Sequence, residues 1–292
     1  MTFSRRKAFQ TAALSPFVPA LPAAARRSWP IEEGPSTPKL CLDLNAGRDP
    51  LTPRDESAIR RVRQLGVTHV LSGDGRIPWD EKALRDRIQR LKDRGLTLYN
   101  LMIGGFPNTL YGRPGRDEEI AKVIQSIHAA GRAGLPVIEY NFYAYRLVEG
   151  YYEEPGRGGA GMTAYSYDKA KDLPPPETGT HTLEEMWSNI TYFLKAVVPE
   201  AEKAGVRLAL HPNDPPVPLS RGSQQIMATL AGWKRLIEIV PSESNGITYD
   251  CGVTRELGED PVEVCRYFAS RKRINHVHFR NVRGTCPQFE ET

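Results

Sequence analysis

Cysteine is sparse and unpaired in this 292-residue sequence. Cys41, Cys251, Cys265 and Cys286 form no C-x-x-C, which argues against a disulfide scaffold or a zinc ribbon. No apolar run approaches the ~20 residues that a membrane-spanning helix needs. No G-x-G-x-x-G or P-loop follows any strand-like run, so a cradle for dinucleotide or nucleotide phosphates is not indicated. Excess charge is missing as well. The formal net charge of +4 comes from Arg5, Arg6, Lys7, Arg26 and Arg27, and from residue 28 onward 34 basic residues face 35 acidic ones. A body so balanced has no electrostatic footprint for nucleic acid.

What is present begins with a separable N-terminus. Ser4-Arg5-Arg6-Lys7 is basic, Ala12 to Ala25 is uncharged and rich in Ala, Leu and Pro, and Ala23-Ala24-Ala25 offers an A-x-A cleavage site. Residues 1–27 resemble a twin-arginine export signal, although Phe9 stands three residues after Arg6 and no Leu follows it. The expectation is a periplasmic or exported protein, the alternative a cytoplasmic one whose N-terminus has no fixed structure.

Residues 28–292 repeat one unit: a helix ending in Gly and running at once into an apolar strand. QLG-VTHVLSG, DRG-LTLYNLMIGG, RAG-LPVIEYNFY and KAG-VRLALHP place Gly66, Gly95, Gly134 and Gly205 at the helix C′ position, where the left-handed conformation favours glycine. Thr52-Pro53 opens a helix with Ile59, Val62 and Leu65 inward. Thr182 with Glu185 makes a capping box before Met186, Ile190, Phe193 and Val197, and Asp260-Pro261 starts a helix that buries Val264 and Phe268. Strands are expected near 39–46, 68–73, 97–105, 137–143, 207–212, 245–252 and 274–281. Seven βα units in alternation fit an α/β fold of the (β/α)8 TIM-barrel type, lacking its eighth strand and helix, better than a doubly wound sheet. Either the sequence is a fragment, or the barrel closes in another way, such as against a partner in a homo-oligomer. The Gly- and Tyr-rich stretch from Gly150 to Pro176 reads as a rim loop or lid, or as a tolerated surface insertion.

Three strand-like runs end in metal-competent side chains. RLALHP delivers His211, NGITYDCG delivers Asp250 or Cys251, and INHVHFRN delivers His276 and His278. Parallel strands with their C-terminal ends together would bring these to one rim. Asp250 and Cys251 are adjacent and point to opposite faces, so one of them faces inward; His276 and His278 share a face, so one can ligate while the other supports it. His69, His128 and His181 read as structural histidines.

The motifs YNF (Tyr140 to Phe142), HPNDPPVPLSRG (His211 to Gly222), NGITYDCG and HFRNV (His278 to Val282) resemble the mannonate dehydratase family of xylose-isomerase-like TIM barrels, over roughly residues 38–292. The resemblance implies a lyase that binds Mn2+ or a similar divalent ion (Fe2+, Co2+, Mg2+). Such a lyase dehydrates the small sugar acid D-mannonate to 2-keto-3-deoxy-D-gluconate in hexuronate degradation. It implies His211 and His278 as ligands. Asp250 falls on the family's cysteine position, because this chain reads YDCG where the family reads FCTG, and an oxygen donor suits Mn2+ or Mg2+ better than a thiolate. Asp250 is therefore expected as the middle ligand, with Cys251 the alternative. Asn213 stands where the family has Asp. Substrate contacts are expected from Asn141, Tyr140, Arg280 and His276, with Arg280 gripping a carboxylate. The family's fourth ligand and its acid and base groups lie beyond the H-x-R motif, so the chain's catalytic residues stay unassigned and weak turnover is expected of it alone. A metal-dependent sugar isomerase or epimerase, or a non-catalytic sugar-acid binding protein, would be the other classes.

Overall fold

The computed structural model describes residues 34, 37–46 and 51–292. Leu40–Thr292 forms one compact unit, which carries everything that follows. The expected signal segment, residues 1–27, lies outside the described residues.

This unit is built on seven parallel strands: Cys41–Asp43, His69–Asp74, Thr97–Ile103, Val137–Tyr140, Arg207–Leu210, Asn245–Asp250 and Ile274–His278. They pair in sequence order. The first and last each have one strand neighbour in this sheet among the described residues. Every strand stops short of its expected C-terminal end or near it, because the residues that follow leave the ladder to form the rim. Helices separate the strands and bury their apolar stripes against the sheet. The Leu183–Ala204 helix begins with the Thr182–Glu185 capping box and buries Met186, Ile190, Phe193 and Val197. Full burial of each such side chain contributes about 1.5–3 kcal/mol. The four C′ glycines all have positive φ, between 68° and 81°. One expectation fails here: Leu65 is 71% exposed, because the Pro53–Gln64 helix has ended and Leu65 is its C-cap.

The stretch after Gly150, expected as a rim loop or lid or as an insertion, is ordered into strands. Tyr151–Pro155 and Gly161–Ser166 form a hairpin, Val282–Thr285 and Gln288–Glu291 form another, and the two join in one antiparallel sheet. This sheet has its own small core of Leu147, Tyr165, Ala170, Val217, Val282 and Phe289, in which Tyr165 stacks on Phe289 at 5.2 Å. It places Tyr151 and Glu291 beside the strand ends. No helix among the described residues is long and apolar enough to cross a membrane.

Candidate metal centre

Alternation along the strands decides which side chains look into the sheet's concave side. In Val137–Tyr140 the inward residue is Glu139, fully buried, while Tyr140 turns outward onto Phe193 of the helix layer, with ring centroids 5.7 Å apart. In Asn245–Asp250 Thr248 and Asp250 face inward, and Asp250 is level with His278 across the parallel ladder. His211 follows the Arg207–Leu210 strand directly, its backbone N–H donating to the Tyr140 carbonyl at 2.9 Å.

The three expected donors converge. His211 Nε2 is 3.0 Å from His278 Nδ1 and 3.8 Å from Asp250 Oδ2, and His278 Nδ1 is 3.6 Å from the same carboxylate oxygen. The other nitrogen of His211, Nδ1, is 2.7 Å from the Pro212 carbonyl oxygen. A carbonyl only accepts, so that nitrogen carries the proton and Nε2 presents a bare lone pair. Burial, with His278 nearby, lowers the pKa of His211 and keeps it neutral. Burial alone would raise Asp250, but the Arg280 guanidinium donating to both of its oxygens and the Val253 N–H win and bring it down to about 2. Two imidazoles and one ionised carboxylate within ligand reach make a mixed N/O set that fits a divalent ion, with distances that shorten to ~2.0–2.2 Å on coordination. These groups line a cleft of about 520 Å³ together with Asp43, Glu139, Asn141, Tyr143 and Arg146. A second cleft, about 710 Å³, at the ends of the second and third strands shares Asp43, Leu71, Met102 and Asn141 with it.

Arg280 does something other than expected. Its Nε donates to both oxygens of Asp250 at 3.2 Å, Nη2 to Asp214 Oδ2 at 3.1 Å and Nη1 to Glu291 Oε1 at 3.1 Å. Nη2 also lies 2.8 Å from Glu256 Oε1, without the alignment of a hydrogen bond, so neither Glu256 oxygen has a hydrogen-bond partner. Burial first, then the charge of Asp214, raises the Glu256 pKa to about 9, so this acid is neutral at physiological pH. The guanidinium is thus the counter-ion of a protein carboxylate cluster and presents no free fork to a substrate.

The structure brings His211, Asp250, His278 and Asn141 to the cleft. Cys251, the alternative ligand, opens a short helix and packs half-buried against the hydrophobic core, its thiol pKa raised by burial. His276 sits behind the cleft lining, edge-on to His278, with its Nε2 buried and without a hydrogen-bond partner. Tyr140, expected to contact substrate, is a packing residue whose buried hydroxyl has no partner. His69 lies 3.0 Å from Thr68 Oγ1, His128 pairs with Glu200 at 2.9 Å and His181 stacks on Tyr111, so none joins the site. Sequence reasoning missed Glu139, although a lone carboxylate inside the apolar run LPVIEY was a visible signal.

A curled parallel sheet, ringed by helices and carrying a His-Asp-His donor set at its C-terminal rim, defines the class: a xylose-isomerase-like TIM barrel able to take a divalent cation. A family model described as D-mannonate dehydratase matches residues 179–292. The chain is 30% identical to a mannonate dehydratase of Streptococcus agalactiae serotype Ia, with 84% of this chain and 77% of that protein covered. It is 29% identical to that of Streptococcus pneumoniae strain 70585, covering 87% and 76%. The crystal structure of mannonate dehydratase from Streptococcus suis serotype 2 superposes with a TM-score of 0.77 at 27% identity, covering 88% of this chain and 77% of that one. An L-ribulose 3-epimerase shares the fold, at a TM-score of 0.53 and 16% identity over 83% and 69% of the two chains. The chain belongs to the mannonate dehydratase family.

Proposed function

We propose that the chain is a metal-dependent sugar-acid dehydratase, taking D-mannonate to 2-keto-3-deoxy-D-gluconate and water. The reading rests on one observation above the others: His211, Asp250 and His278 offer three donors to one point at the rim of a cleft in a chain of this family. Mn2+ is the ion we expect, supplying Lewis-acid stabilisation of charge on the substrate carboxylate and easing loss of the β-hydroxyl. The reaction removes the C2 proton and the C3 hydroxyl, and the enol that results becomes the 2-keto acid. The chain's own part is binding and orientation. Asp43, Glu139, Asp214, Asp250 and Glu291 line the cleft and would repel an anion, so a cation must offset them near the substrate carboxylate. With Arg280 engaged, that role falls to Arg146, which lines the same cleft and is anchored by its Nε to the Asp214 carbonyl at 3.3 Å. Asn141 is placed to bond a substrate hydroxyl.

An oxygen ligand at Asp250, where the family has cysteine, favours a second reading as a sugar isomerase or epimerase of the same barrel type. Incubating the purified chain with Mn2+ and D-mannonate, or with a panel of aldoses and ketoses, and following the products by NMR separates the two. Metal-loaded protein that converts a neutral sugar and leaves mannonate untouched would refute the dehydratase reading. We also propose export through residues 1–27, tested by whether fusing them to a reporter carries it to the periplasm in a Tat-dependent way.

A further inference from the structure

We infer that Glu139 is a positioning residue of the metal centre: its carboxylate holds the His278 ring in the tautomer that turns a bare Nδ1 toward Asp250 and His211. The carboxylate is fully buried and fixed from the adjacent Thr97–Ile103 strand and from Asn245–Asp250, two strands away across the sheet. Asn100 Nδ2 donates to Oε2 at 3.0 Å and Thr248 Oγ1 donates to Oε1 at 2.8 Å. The Glu139 backbone N–H returns the contact to Asn100 Oδ1 at 3.1 Å, which locks the amide orientation. Both carboxylate partners are neutral donors, so the negative charge is not cancelled by them. Two imidazoles lie near it, His276 and His278, and the His278 Nε2 is 3.4 Å from Oε1.

A carboxylate placed there can only accept, and its charge attracts a proton onto the facing nitrogen. His278 Nε2 then carries the hydrogen and Nδ1 keeps its lone pair. The same logic already leaves His211 Nε2 bare, so two lone pairs meet 3.0 Å apart beside Asp250. That arrangement is repulsive until a cation occupies it. Glu139 therefore acts through His278, setting its orientation, as outer carboxylates do for metal-bound imidazoles. The inference rests on the metal-centre reading and is independent of which substrate the cleft takes.

The test uses the purified chain and its Glu139→Gln and Glu139→Leu variants. Histidine-labelled nitrogen NMR of the metal-free protein reports the His278 tautomer, and calorimetric titration with Mn2+ reports affinity and stoichiometry. The parent is expected to show His278 protonated on Nε2 and to bind one ion. Glu139→Gln keeps an acceptor and loses the charge, so it should hold the tautomer and bind about tenfold more weakly. Glu139→Leu should show mixed tautomers and a loss toward about 100-fold; if it fails to fold, Glu139→Gln still decides. His278 protonated on Nδ1 in the parent, or parent-like affinity in Glu139→Gln, would overturn the inference while leaving the metal centre standing. Two ions bound per chain would make Glu139 a ligand instead, with His276, and overturn it equally. A parent that binds no Mn2+ would overturn the metal centre and this inference together.

Discussion

Replacing Arg280 with Met should destabilise the fold by about 3 kcal/mol, because it strips the counter-ion from buried carboxylates. Asp250 is 1% exposed and Asp214 14% exposed at the side chain, while the guanidinium that neutralises them is 21% exposed. Removing one partner of a buried ion pair typically costs 3–5 kcal/mol. Three features of this cluster place the cost at the low end. Glu256 is already neutral, Glu291 is 37% exposed and contributes about 0–1 kcal/mol, and the cleft admits water beside Asp250. For a domain of this size the loss corresponds to a fall in Tm of roughly 6–12 °C. The assay is urea and thermal unfolding in chelator-treated buffer, with Arg280→Lys as the variant that keeps the charge and loses the fork, expected to fall between parent and Arg280→Met. A variant within 1 kcal/mol of the parent would refute the counter-ion role. If that variant also showed a raised KM for a sugar acid, the guanidinium would be holding substrate instead.

The metal ligands can be separated by elemental analysis after loading with Mn2+. His211→Ala, His278→Ala and Asp250→Ala are expected to lose most of the bound ion, whereas Cys251→Ala, His69→Ala and His128→Ala retain it; retention in Asp250→Ala with loss in Cys251→Ala would reverse the assignment. Glu256 has its folded pKa raised from 4.5 to about 9, so the folded state holds a proton that the unfolded chain releases above pH 4.5. Its contribution to stability therefore worsens as pH rises through that window and levels off above about 9. Glu256→Gln should flatten that part of the curve, and an unchanged Tm profile between pH 5 and 9 would contradict the assignment of a neutral acid. Tyr140→Phe removes a buried hydroxyl without a partner and should leave stability unchanged or raise it by about 1 kcal/mol, with no effect on sugar-acid affinity; a weakened affinity would return Tyr140 to the cleft.

Much of this protein was legible along the chain because the signals are local. A helix that must stop and turn into a strand leaves its mark within a few residues, and Gly134, Gly205 and the Thr182–Glu185 box mark such points. Seven such alternations imply a parallel sheet, and a parallel sheet brings His211, Asp250 and His278 to one rim. Local pattern does not determine the absolute phase of a short apolar strand. VIEY carries one carboxylate in an apolar run, which does not say which face looks into the cleft, and only packing against the Leu183–Ala204 helix turns Glu139 inward and Tyr140 out. Nor does it reveal partners brought from afar. Asp214, Asp250, Glu256 and Glu291 meet Arg280 because a loop, a strand end, a short helix and a hairpin converge there, and a charge's role depends on which opposite charges reach it first. The final hairpin, residues 282–291, illustrates the same limit. Its strands have little apolar pattern of their own, and they are ordered by pairing with residues 161–166, more than a hundred positions earlier. Non-local ladder bonds and a shared aromatic contact, Tyr165 on Phe289, supply what the segment's own propensity does not.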